Sequence, residues 1–324
     1  MLQWKNQLSA PAQMFLAGTP WRDAVVEPLS GDASARIYWR LRRGSETAVL
    51  MDASRIPDCL SPYITLSAHL KNMGLSAPEV FFADLHGGCA IIEDFGDATF
   101  AHLLEQGCDA SELYALGTDL LIALHGNHAA APANWREYHP QQMLADIHLY
   151  LEWVAANVDE EGKSEFRERW LRVLPLAFQV PQNLLLRDYH VANLMWLPER
   201  RGVQRAGLID FQDAYRGPIS YDLMSLLEDA RRDIASEFRQ QMLQRYFKAF
   251  PTLDQAAFAV SYSILAAQRH TRVLAVFARL AKRDGKPEYQ QQHSARVRRL
   301  LMNALQHPVL NEVKEWFETY APRD

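Results

Sequence analysis

The sequence predicts an α+β chain in two lobes, a small antiparallel-sheet lobe over residues 1–96 and a large helical lobe over residues 97–324. Three observations carry that expectation. Five short apolar runs between residues 24 and 93 are punctuated by turn residues, which is the pattern of a meander. Beyond Gly96 the apolar residues recur at helical spacing, as Leu113, Leu116, Leu120, Leu121 and Leu124 do. A length of 324 residues exceeds one ordinary domain and suits two lobes sharing a cleft.

In chain order, residues 1–20 read as a short amphipathic helix with Leu2, Trp4, Leu8 and Phe15 on its apolar side. Strands follow at 24–29, 35–41 and 47–51, divided by Ser30-Gly31-Asp32 and Arg42-Arg43-Gly44. A helix over 60–73 stops at Gly74, and Pro78 opens a hairpin of 79–83 and 89–93 around His86-Gly87-Gly88. The helical part has segments at 109–126, 140–157 and 162–177. After a β-type interruption at 184–213, a helix follows Pro218, and four more are expected at 233–249, 253–282, 287–306 and 308–320.

Composition narrows the function. A hydrophobic share of 48% with 23% charged residues allows a sizeable core, and a net charge of −5 offers no basic stripe for nucleic acid or an anionic membrane. Cys59, Cys89 and Cys108 are odd in number and form no C-x-x-C pair, as expected of small buried residues in a reducing compartment. No apolar run reaches the ~18 residues of a membrane span and no secretory leader is apparent, so a cytoplasmic location is expected. No protein partner can be inferred.

The chemistry concentrates in residues 184–213. Asp188 is followed by Asn193 at 193 − 188 = 5 positions and by Asp210 at 210 − 188 = 22, with apolar runs at 194–197 and 206–209 between them. One base-like carboxylate and two oxygen ligands for Mg²⁺ are what phosphoryl transfer requires. A lone Asp in a loop more often caps a turn, but three such residues at this spacing argue for a site.

These residues resemble the catalytic loop and metal-binding strand of the kinase-like superfamily of protein kinases, aminoglycoside phosphotransferases and choline kinases. Leu186-Arg187-Asp188-Tyr189-His190-Val191-Ala192-Asn193 is similar to the H-x-D-x-x-x-x-N loop of its small-molecule branch, with Leu186 in place of the usual His. Ile209-Asp210-Phe211-Gln212-Asp213 is similar to its metal-binding element. Residues 193–197, 210–214, 221–223 and 225–233 also resemble the amino-sugar kinases of bacterial cell-wall recycling, which phosphorylate N-acetylmuramate and N-acetylglucosamine at the anomeric hydroxyl.

The resemblance implies a bilobal protein-kinase-like fold that uses ATP and Mg²⁺ to phosphorylate a small sugar. Asp188 would be the base, and Asn193 and Asp210 the metal ligands. Ser30, Gly31, Asp32, Ala33, Ser34 and Arg36 would cover the phosphates, while backbone groups of residues 93–95, Glu93 and Phe95 included, would meet the adenine edge. Asp213, Glu228, Arg231, Arg232 and Arg269 would approach the acceptor, Asp222 would anchor the catalytic loop, and His125 and His190 would be structural. Asp94-Phe95-Gly96 spells the protein-kinase metal motif but precedes the catalytic loop, so Asp210-Phe211-Gln212 is its true counterpart.

One departure is sharp. The strand expected to end in a phosphate-gripping lysine reads Ala48-Val49-Leu50-Met51-Asp52, and the helix over 60–73 contains no glutamate to pair with it. Either another cation, Arg36 or Arg55, takes the contact, or the chain is a pseudokinase that binds nucleotide without turnover. A third reading is a kinase for an aminoglycoside, a choline-like amine or another sugar. The segments Glu228-Asp229-Ala230-Arg231-Arg232 and Gln268-Arg269-His270-Thr271-Arg272, which mix Arg with carboxylates, favour a neutral or anionic sugar over a polycation.

Overall fold

The computed structural model describes residues 7–29 and 35–322, so the expected phosphate-covering residues Ser30, Gly31, Asp32, Ala33 and Ser34 lie outside the described residues. The chain divides into two compact units, Met1–Leu116 with Ala192–Asp213, and Gly117–Val191 with Ala214–Asp324.

In the first unit, helix α1 (Ala10–Ala17) starts at Ser9, whose hydroxyl accepts the Ala12 amide, with Pro11 in the first turn. Strands β1 (Val25–Pro28), β2 (Ile37–Arg43), β3 (Glu46–Asp52), β4 (Val80–Asp84) and β5 (Cys89–Glu93) form one antiparallel sheet in the order β1-β2-β3-β5-β4. Helix α2 (Leu60–Asn72) joins β3 to β4. Strand alternation divides β2 cleanly. Trp39 and Leu41 join Leu8, Ala12 and Leu16 in the apolar core, whereas Arg36, Tyr38 and Arg40 have the opposite parity.

Helix α3 (Phe100–Glu105) follows, capped by Thr99, and α4 (Ala110–Gly126) begins in this unit and ends in the other. Strands β6 (Gln182–Leu185) and β9 (Tyr215–Pro218) pair in the second unit, whereas β7 (Leu194–Trp196) and β8 (Ala206–Leu208) form a hairpin in the first.

The sequence boundary at residue 96 assigned that hairpin to the helical lobe, but it groups with the sheet. Its main chain explains why: Leu208 N–H donates to Ser76 O and Trp196 N–H to Ala98 O, each at 2.7 Å, while Ser76 Oγ donates to Gln204 O at 2.7 Å. Gly207 is needed there, because a Cβ would stand 2.9 Å from the ring of Phe95.

The second unit is built on helices α5 (Pro140–Trp153), α6 (Glu160–Val173), α7 (Ser220–Leu227), α8 (Ser236–Ala249), α9 (Gln255–Lys282), α10 (Glu288–Ala304) and α11 (Asn311–Tyr320). Its core gathers Tyr150, Phe166, Trp170, Leu265, Leu301, Trp316 and Phe317, with the Phe166 and Trp316 rings 4.6 Å apart edge to face. Among the described residues no helix is long and apolar enough to cross a membrane.

Candidate active site

The loop carrying Asp188 is fixed from the inside. Burial pushes the Asp222 carboxyl up to about 7, although its two oxygens accept the amides of Leu186 at 2.5 Å and Arg187 at 2.9 Å. Arg187 has φ +72°, a left-handed conformation costly for a residue with a Cβ. Its guanidinium is pinned to Asp146 at 2.5 Å, over the rings of Tyr138 and Tyr215. Tyr189 is buried and donates its hydroxyl to Gly117 O at 2.7 Å. Between these two anchors the Asp188 side chain keeps 30% exposure.

Asp188 sits among cations on α9. Arg269 Nη1 stands 3.5 Å from Asp188 Oδ1 and donates to Arg187 O at 3.2 Å. Burial raises the Asp188 carboxyl, but Arg272, Arg269, His190 and Arg187 outweigh it and bring it to about 2. At neutral pH this group is a carboxylate that accepts a hydrogen bond readily and a proton poorly.

Asn193 and Asp210 lie in the other unit, at the two ends of the β7–β8 hairpin. Ile209 N–H donates to Asn193 O at 3.2 Å, and Asn193 Nδ2 lies 3.4 Å from Asp210 Oδ2. Asp210 has φ +60°, a second strained position outside glycine. Next to it, Phe211 is buried and stacks on Tyr63, 4.9 Å between centroids at 9°. Gln212 Nε2 donates to Asp210 Oδ1 and to Asp213 Oδ2, each at 3.1 Å. Arg36 Nη2 donates to Asp210 Oδ1 in a short ion pair, and the Asp210 side chain is 35% exposed against 9% for Arg36.

The remaining expected residues divide. Glu93 N–H donates to Glu79 O at 2.8 Å and its carboxylate takes Arg200 at 2.5 Å, while Arg200 also covers the Phe95 ring at 4.9 Å. Glu228 is buried, with its carboxylate on His270 at 2.8 Å and Arg239 at 2.9 Å. These partners, rather than solvent, surround the carboxylate that was expected near the acceptor. Arg231 and Arg232 are half-buried just beyond α7, with the Arg231 amide on Asp229 at 2.8 Å. His125 is buried against Tyr246 at 2.7 Å, and burial depresses it to about 3, in keeping with a neutral structural histidine.

Sequence reasoning missed Arg187 as the strained support of Asp188, Arg272 as its leading cation and Tyr63 as the platform under Phe211. Arg272 was legible in principle, since it lies one helical turn beyond Arg269.

The donors at the hairpin suit a hard divalent cation, because Asp210 offers carboxylate oxygens and Asn193 an amide oxygen. Among the described residues no cluster of three or more His, Cys, Asp or Glu could cage a metal alone.

Residues 25–259 match the phosphotransferase enzyme family. The chain is 33% identical to the N-acetylmuramate/N-acetylglucosamine kinase of Caulobacter vibrioides over 98% of both proteins. It is 34% identical to the enzyme of the same name from Neisseria meningitidis over 83% of each. In fold it is similar to a choline/ethanolamine kinase family protein from Mesorhizobium loti, with TM-score 0.65, 16% identity and coverage of 94% of this chain and 97% of that one. It is likewise similar to the ADP-bound aminoglycoside phosphotransferase APH(2'')-Ib, with TM-score 0.62, 17% identity and coverage of 94% and 99%. The expected protein-kinase-like α+β fold is therefore the one this chain has. The chain belongs to the phosphotransferase enzyme family, and it is a small-molecule kinase.

Proposed function

We propose that this kinase transfers the terminal phosphoryl group of ATP to the anomeric hydroxyl of an N-acetylated amino sugar, N-acetylmuramate or N-acetylglucosamine, in the cytoplasm. The observation that carries the proposal is Asp188, a half-buried carboxylate held at about 2 by arginines on a strained, doubly anchored loop. The likeness to kinases named for those two sugars supports the choice of acceptor.

Asp188 orients the acceptor hydroxyl by accepting its hydrogen bond. With so low a pKa it cannot remove the proton early, which suits a loose transition state where proton transfer lags behind bond cleavage. An anomeric hydroxyl is more acidic than an ordinary alcohol and asks less of such a base. Asn193 and Asp210 hold Mg²⁺, which when bound neutralises charge on the transferring phosphates. The sheet-bearing unit covers the nucleotide, with Arg36 over the phosphates and the Phe95 main chain facing the adenine. On the acceptor side, Arg269, Arg231 and Arg232 of the second unit approach the sugar, and an arginine there pairs with the lactyl carboxylate of N-acetylmuramate.

A panel of N-acetylmuramate, N-acetylglucosamine, glucosamine, kanamycin and choline, each with ATP or GTP and Mg²⁺, tests the reading. Turnover confined to the two N-acetylated sugars is the expected result. Preference for kanamycin or choline would replace it with another kinase of the same family.

A further inference from the structure

We infer that Arg36 is a resident counter-cation for Asp210 that hands the carboxylate over to the metal and takes up the nucleotide polyphosphate in its place. The inference rests on the assignment of Asp210 and Asn193 as metal ligands, and it adds an order to their use. Arg36 immediately precedes β2 and shares strand parity with Arg40, so both guanidinium groups leave the sheet on the face away from α1.

Their fates differ. Arg40 is tied to Asp94 through two nitrogens, at 2.7 and 3.0 Å, and to Asp97 at 2.9 Å. Arg36 donates to Asp210 through Nη2, and that carboxylate is partly open. Arg55, the other cation considered for this task, is exposed to solvent.

A buried guanidinium is stable only while an anion faces it. A divalent cation arriving alone on Asp210 would meet Arg36 on the same carboxylate, at a range where like charges repel strongly. Metal accompanied by a polyphosphate brings a replacement anion for Arg36, so the two ligands bind together better than either binds alone. This arrangement also answers the absent lysine on β3: the charge comes from the residue before β2 and is stored on the metal ligand until nucleotide arrives. The protein is thereby guarded against occupation by metal without substrate.

The test uses Mn²⁺ as the spin-active probe, titrated by electron paramagnetic resonance with and without ADP and with no sugar present. Its outcome is therefore independent of acceptor identity. Wild-type protein is expected to bind Mn²⁺ weakly alone and at least about tenfold more tightly with ADP. R36M is expected to bind Mn²⁺ alone about tenfold more tightly than wild type while losing most of the ADP enhancement. R36K, which keeps the charge, should retain that enhancement. If R36M does not fold, R36Q carries the same expectation with a neutral hydrogen-bonding side chain. Unchanged Mn²⁺ affinity in the neutral variant, or an undiminished ADP effect, overturns the inference. Failure of Asp210→Asn to weaken Mn²⁺ binding would instead remove the metal-ligand assignment beneath it.

Discussion

Two Asp-Phe pairs in the same unit, Asp94-Phe95 and Asp210-Phe211, each set a carboxylate against an arginine from one face of β2, yet only one is built as a reactive position. Asp94 is 5% exposed and gripped by two nitrogens of Arg40, with the Gly96 amide on the same carboxylate at 2.9 Å. Asp210 is 35% exposed, meets Arg36 through one nitrogen and sits at φ +60°. The first arrangement closes a strand end; the second holds a charge where a ligand can reach it. The motif spelling fits Asp94, whereas the single arginine contact and the greater exposure support the role proposed for Asp210.

Exchanging the two roles by mutation is the strongest way to break the comparison. Asp210→Asn should lower kcat by about three orders of magnitude or more, ~4 kcal/mol of barrier, and should also lower Tm, because it takes the facing anion from the buried Arg36. Asp188→Asn should cost about 10²–10⁴ in kcat at nearly constant sugar KM. Asp94→Asn should do the reverse, costing about 3 kcal/mol of stability by stripping a buried partner from Arg40 while leaving kcat within a few fold. Steady-state kinetics beside denaturant melts separates these outcomes, and equal catalytic loss in Asp94→Asn and Asp210→Asn would erase the distinction.

A pH experiment sharpens the reading of Asp188. Its folded value is lowered to about 2, so the carboxylate contributes stability that is present above the ordinary carboxylate value and is lost as pH falls through about 2. No acid limb from Asp188 should therefore appear in kcat/KM between pH 5 and 8. Arg272→Met removes the leading cation and should move the limb upward, towards the accessible range. A smaller effect is expected for Gly207→Ala, whose added methyl meets the Phe95 ring. It should cost about 1–3 kcal/mol through overpacking, read as a lowered Tm.

Much of this was legible from particular residues. Helix α2 was expected at 60–73 and runs Leu60–Asn72, because an apolar period and Gly74 bound it. The β6–β9 pair was not anticipated: Gln182–Leu185 and Tyr215–Pro218 are four-residue strands without alternation, held by pairing partners 30 or more positions apart. The Asp188, Asn193, Asp210 spacing was visible because it is local. The Arg36–Asp210 pair was not, since the two lie 174 positions apart and only strand parity hints at it. The partners of Glu228, His270 and Arg239, likewise become evident only once α8 and α9 are folded.

The central claim is most directly tested by ³¹P and ¹H nuclear magnetic resonance of the product made from N-acetylmuramate and ATP. The account predicts a phosphorus coupled to the anomeric proton and a sugar that no longer reduces copper. A phosphorylated sugar that still reduces copper, with phosphorus coupled to a ring or side-chain proton elsewhere, would contradict it.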